Sequence, residues 1–145
     1  MITNEVQHRA TKAHLERFEE AARNLAARLD AKPSKLVRLE LDAVQAQASD
    51  LRAELEEYER LRSGAVSTFE GSSLADVATL LVKARIARGW TQRRLAEALG
   101  VAEQQVQRYE STGYRSASLA RICEVADALD VAVTERAELR GPDAA

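Results

Sequence analysis

Few aromatics (4% Phe, Trp and Tyr), two prolines and one cysteine mark this 145-residue chain. The lone Cys123 excludes an internal disulfide framework and points to a reducing compartment. With so few aromatics and prolines, and with Ala, Leu, Arg and Glu abundant, helix is favoured over strand. No apolar run approaches the ~18 residues needed to span a membrane. The first residues, MITNEVQHRATK, lack the apolar core of a secretion signal. A cytoplasmic protein without membrane contact is therefore expected.

Catalytic chemistry is missing as well. His8 and His14 are six apart and share no helical face, and no Cys or Asp/Glu cluster joins them, so no metal site is expected. Both are read as exposed helix histidines. Neither a glycine-rich phosphate loop nor a nucleophile elbow is present. Glu56 and Glu57 are adjacent and point apart, so they cannot act as paired carboxylates. The chain reads as no enzyme, with no cofactor.

What is present is helical periodicity. Thr11 can cap a first helix carrying Leu15, Phe18, Ala22, Leu25 and Leu29 at alternating spacings of 3 and 4. Lys32-Pro33-Ser34 breaks it. A second helix over 34–63 carries Val37, Leu41, Val44, Ala48, Leu51, Leu55 and Tyr58, a coiled-coil-like seam. Gly64 can end it in a left-handed cap. The short break suits an antiparallel hairpin over residues 1–63. A two-helix hairpin has little core of its own. Its seam is expected to meet a second copy, giving a homodimer, or a partner protein. Residues 64–73, rich in Gly and Ser, form a link.

The net charge is −2, but it is unevenly spread. Residues 73–115 hold seven Lys/Arg against four Asp/Glu, and residues 116–145 hold three against six. The basic charge is thus local, as a compact nucleic-acid footprint requires. Within it, Ser73 can cap a helix from Leu74 to about Arg88, with an apolar face of Leu74, Val77, Ala78, Leu81, Ala84 and Ile86. Gly89 ends that helix. Thr91 caps the next, Gln92 to Leu99, whose small Ala96 lets a second helix cross closely. Gly100 can supply the positive φ of a turn. A third helix then runs from about Ala102 to Glu110. Val106 anchors it inward, so Glu103, Gln104, Gln107 and Arg108 are left towards solvent.

These residue types fit base reading. Glutamine offers a donor and an acceptor that match adenine N6 and N7 in the major groove, and arginine pairs two donors with guanine O6 and N7. Gln104, Gln105, Gln107 and Arg108 form the candidate reading head. The run Arg85-Ile86-Ala87-Arg88-Gly89, Thr91-Gln92, Leu95-Ala96, Leu99-Gly100-Val101, Val106, Glu110 and Leu119 to Leu129-Asp130-Val131 resembles the Cro/phage-repressor helix-turn-helix proteins, often called the XRE family.

The resemblance covers residues 74–131. It implies an all-α, five-helix lambda-repressor-like DNA-binding domain over 74–140, followed by a frayed tail over 141–145. Ser118 would cap the fourth helix, Leu119 to Leu129, with Cys123 a small buried hydrophobe. Val131 to Leu139 would form the fifth helix, a dimer contact in many relatives. By the same resemblance, Thr91 and Gln92 set the domain on a phosphate, Glu103, Gln104 and Arg108 read bases, and Arg115 touches the backbone from its loop. Arg85 and Glu110 would form a structural salt bridge.

The sequence departs from the family pattern in three places. Ala102 replaces a Ser or Thr cap. Glu103 puts negative charge at the groove entrance. The loop Ser111–Ala117 is longer than usual. The resulting expectation is a nucleoid-associated, sequence-specific regulator of double-stranded DNA. It would repress as a dimer and could be an autoregulating antitoxin with a toxin or metallopeptidase partner. The competing expectation is a protein-interaction module in which the hairpin does the binding and DNA affinity is weak.

Overall fold

Two long helices lead the chain in a computed structural model that describes residues 1–139. Helix α1 spans Glu5–Ala31 and α2 spans Lys35–Arg62. They run antiparallel: His8 meets Glu59 near the base, and Arg52 Nη2 reaches Glu19 Oε1 at 2.7 Å further along. The expected Thr11 cap is corrected to Asn4. Its side chain accepts from the Gln7 N–H at 2.9 Å, so α1 starts upstream of the apolar repeat that sequence periodicity detects. Ser34 caps α2 in the same way.

The hairpin is unevenly covered. Val37, Leu41, Ala48, Leu55, Tyr58 and Leu61 of α2 are buried, whereas α1 contains no fully buried residue. The base of the hairpin does not wait for a second copy. Leu55, Tyr58 and Leu61 join one hydrophobic core with Leu81, Leu95, Val106, Val125 and Leu129 of the C-terminal half. Lys83 Nζ reinforces that joint, 2.7 Å from Glu57 Oε1. His8 is half-buried there, stacked on Tyr58 with ring centroids 5.1 Å apart, which corrects its reading as an exposed histidine. His14 is exposed.

Four shorter helices follow: α3 (Asp76–Ala87), α4 (Gln92–Leu99), α5 (Glu103–Ser111) and α6 (Leu119–Ala128). Helix α3 is the hub. It packs against α2 on one side and against α5 and α6 on the other, so it is apolar nearly all round. Its start differs from expectation. Ser73 provides no cap; instead the N–H groups of Ser72 and Ser73 donate to Asp76 Oδ2 at 2.7 and 2.9 Å. These bonds, the Ser72 backbone first, hold the Asp76 carboxyl below its usual range. Gly71 makes this loop possible, since a Cβ there would stand 2.7 Å from the Cβ of Asp76. Leu74, expected on the apolar face, is 77% exposed in the turn before the helix.

The expected fifth helix is absent. Residues 131–139 have no regular secondary structure. Asp130 takes a left-handed φ of 51°, and Arg88 Nη2 donates to both its carbonyl (3.0 Å) and its carboxylate (3.1 Å). This stops α6, and the β-branched Val131, Val133 and Thr134 that follow are weak helix formers. Cys123 is exposed, because the core positions Ile122, Val125, Ala126 and Leu129 leave it on the outer edge of α6. The tail expected to fray, Gly141–Ala145, lies outside the described residues, as does Arg140.

A shared core predicts a single unfolding event. Leu61, 1% exposed, sits where hairpin and C-terminal domain meet. Leu61→Ala should cost about 2–5 kcal/mol. Trp90 fluorescence and far-ultraviolet circular dichroism should still report one coincident urea midpoint. Two separated transitions would show that the halves fold independently.

Candidate nucleic-acid interface

The turn between α4 and α5 is built by local rules. Thr91 Oγ1 accepts from the Arg94 N–H at 3.1 Å and caps α4. Gly100, at φ 65°, ends it, with the Gly100 and Val101 N–H groups bonded to the carbonyls of Glu97 and Ala96. Ala96 is buried where the helices meet. Helix α5 begins without a side-chain cap at Ala102, and Glu103 occupies its first turn, where the helix dipole favours negative charge. Val106, Tyr109 and Glu110 face inward.

The outer side of α5 presents the polar residues singled out in the sequence. Gln104, Gln107, Arg108 and Ser111 are exposed, and their spacing puts them on one face. Gln105 is half-buried and turned away from the centre of that face. Glu103 is half-buried too. Its Oε2 lies 3.8 Å from Arg93 Nε, and its Oε1 accepts from Gln107 Nε2 at 3.4 Å. Arg93 thus offsets the negative charge of Glu103 at the start of α5.

Arg94 lies over the Trp90 ring, 4.6 Å from its centroid. Thr91 and Arg115 are exposed beside α5. Among the described residues, Arg94, Arg108 and Arg115 form no ion pair, which leaves their charge available to an anion.

Beneath this face lies a fully satisfied polar network. Arg85 Nε donates to Glu110 Oε1 at 2.6 Å, and Arg85 Nη2 to Glu110 Oε2 at 2.8 Å, a bidentate pair. The two side chains are only 3% and 1% exposed. Arg85 Nη1 also donates to the Trp90 carbonyl, and Nη2 to the Thr3 carbonyl, both at 2.7 Å. Gln92 Nε2 donates to Glu110 Oε2 at 2.7 Å. No buried side-chain polar atom among the described residues lacks a partner. Such a network rigidifies only when every member is satisfied, as here.

Gln92 is therefore placed differently from a freely exposed phosphate ligand. It is 6% exposed, and its amide is held at both ends, since Asn4 Nδ2 donates to Gln92 Oε1 at 3.3 Å. Only its backbone N–H, at the start of α4, and one remaining amide hydrogen can serve a ligand.

The loop after α5 also departs from the usual. Gly113 and Tyr114 both adopt left-handed φ, 60° and 57°. Tyr114 is buried and stacks on Tyr109, centroids 5.7 Å apart, and burial pushes its phenol well above the ordinary tyrosine range. A bulky side chain in that region is strained by roughly 1–3 kcal/mol, so packing pins the loop and presents Arg115 outward. Sequence reasoning missed Tyr114 and the N-terminal contacts. Tyr109 had a signal, three residues after Val106 on the same face.

Residues 81–136 match the family described as helix-turn-helix. The match covers less than half of the chain and is consistent with a helix-turn-helix of the Cro/repressor type, a DNA-binding regulator architecture. No curated protein and no solved structure matches the chain significantly.

The network yields a direct stability test. Glu110→Ala leaves the Arg85 charge and the Gln92 amide buried without their shared acceptor. It should cost about 3–5 kcal/mol in urea unfolding. A loss below ~1 kcal/mol, the range of an exposed pair, would show that the pair does not hold the domain.

Proposed function

We propose that this protein is a sequence-specific DNA-binding transcription regulator that acts as a dimer and represses by occupying an operator. One observation carries the reading: the exposed face of Gln104, Gln107 and Arg108 stands on a helix whose inner side is clamped by a buried, fully bonded network. Reading bases demands both parts, suitable donors and a rigid mount.

In this reading α5 enters the major groove. Gln104 and Arg108 take the base edges, and Glu103 accepts from a cytosine amine or stays with Arg93. Gln107 gives up its bond to Glu103 to reach a neighbouring base. Gln105 supports from the rim. Thr91 and Gln92 meet one phosphate through the N-terminus of α4, and Arg115 meets another. Two copies would occupy half-sites about 34 Å apart, or a multiple of that. No described helix is long and apolar enough to cross a membrane, and a nucleoid location follows from the DNA reading.

The distal hairpin supports a second element. Its α1 side has no fully buried residue, and Leu36 and Leu39 of α2 are exposed. That surface suits self-association, or a protein partner such as a toxin or metallopeptidase, and an antitoxin that controls its own operon would use both ends of the molecule. If the hairpin alone carries the function, DNA binding will be weak and independent of α5.

A double substitution separates these readings. Gln104→Ala with Arg108→Ala should reduce affinity for the protein's preferred DNA by about 100-fold, at ~1–3 kcal/mol per base-reading side chain. Binding to random DNA should change far less in a fluorescence-anisotropy titration at fixed salt. Equal losses on both DNAs, or none, would overturn the site assignment.

A further inference from the structure

The residues ahead of α1 do more than begin a helix. Ile2 is 3% exposed within the common core. The Thr3 carbonyl accepts from Arg85 Nη2 at 2.7 Å. Asn4 bonds in two directions: Oδ1 accepts from the Gln7 N–H at 2.9 Å, and Nδ2 donates to Gln92 Oε1 at 3.3 Å. None of these three residues lies within the helix-turn-helix match at 81–136, so the contacts belong to the N-terminal extension of this chain.

The chemistry of the amides makes this arrangement directional. A side-chain amide has one acceptor oxygen and a nitrogen with two donors. The Gln7 N–H requires the oxygen of Asn4 on its side, which turns the Asn4 nitrogen towards Gln92. That nitrogen requires the oxygen of Gln92. The Gln92 nitrogen is thereby turned to Glu110, which as a carboxylate can only accept. Every member has one allowed orientation. The second hydrogen on Gln92 Nε2, carried by the first residue of α4, is then fixed in direction.

We propose that Asn4 is a positioning residue for DNA binding. It locks the Gln92 amide so that its free N–H faces the phosphate, and it couples the seating of the hairpin to the reading head. This inference rests on the DNA-binding reading above. Ile2 and Thr3 hold Asn4 in place, so the extension and the helix-turn-helix act as one unit at this point.

Asn4→Ser isolates the role, because serine caps a helix about as well as asparagine but cannot reach Gln92. Helix content should stay at the parent's value, while the thermal midpoint falls modestly because the buried Gln92 oxygen loses its donor. Affinity for the preferred DNA should fall about fivefold, the worth of one hydrogen bond. Gln92→Ala should lose more, and adding Asn4→Ser to it should lose nothing further. Ethylation of the phosphate met by the N-terminus of α4 should weaken either variant less than it weakens the parent, because the backbone N–H remains but the aligned amide is lost. In nuclear magnetic resonance, the Gln92 side-chain amide of the free protein should exchange slowly in the parent and faster in Asn4→Ser.

A parent that binds specifically while Asn4→Ser binds equally well overturns the inference and leaves the DNA reading intact. Losses that multiply in the double variant overturn it too, since Asn4 would then act without Gln92. A parent that prefers no DNA sequence overturns the DNA reading, and this inference with it.

Discussion

The buried pair of Arg85 and Glu110 is the constraint on which the rest of the structure depends. Two opposite charges taken out of water are costly unless further bonds satisfy them. Here every neighbour is recruited to do so. The Trp90 carbonyl fixes the exit from α3, Gln92 the entry to α4, Glu110 the inner side of α5, and Thr3 the segment before α1. The Arg85–Glu110 pair therefore joins α3, α4 and α5 with the N-terminal extension. The geometry of the exposed glutamine and arginine face follows from that joint.

The hydrophobic core works to the same end. Its largest buried side chains come from both halves of the chain, with Leu61 of the hairpin in one cluster with Leu81 and Leu95 of the C-terminal domain. The hairpin base is thus a structural part of the DNA-binding unit. The distal hairpin is different, since only α1 and α2 cover each other there. The molecule divides into a rigid base that presents the candidate reading face and an arm with apolar surface left over.

What sequence alone made legible was local. Thr91, Gly100 and Ser118 act through neighbours within a turn, and the structure places caps and turn at all three. The hairpin was legible because its seam repeats. Of the readings that the structure corrects, three show what sequence could not carry. Asn4 lies outside any apolar repeat, and its partner Gln92 is distant in sequence. Asp76 displaces Ser73 as the key group at α3 because a carboxylate attracts the serine N–H groups more strongly than a hydroxyl. The helix expected over Val131 to Leu139 came from resemblance alone, and Arg88 with the left-handed Asp130 ends the helical path before it.

The candidate reading face was legible as a set of residue types, though not in its electrostatics. Glu103 looked like a liability at the groove, and its pairing with Arg93 and Gln107 could only come from the packed geometry of α4 on α5. The most direct test of the whole account is selection of DNA from a random pool by the full-length protein. The account predicts enrichment of a two-fold repeat with half-site centres about 34 Å, or a multiple of that, apart. Recovery of DNA with no sequence enriched over the starting pool would contradict it.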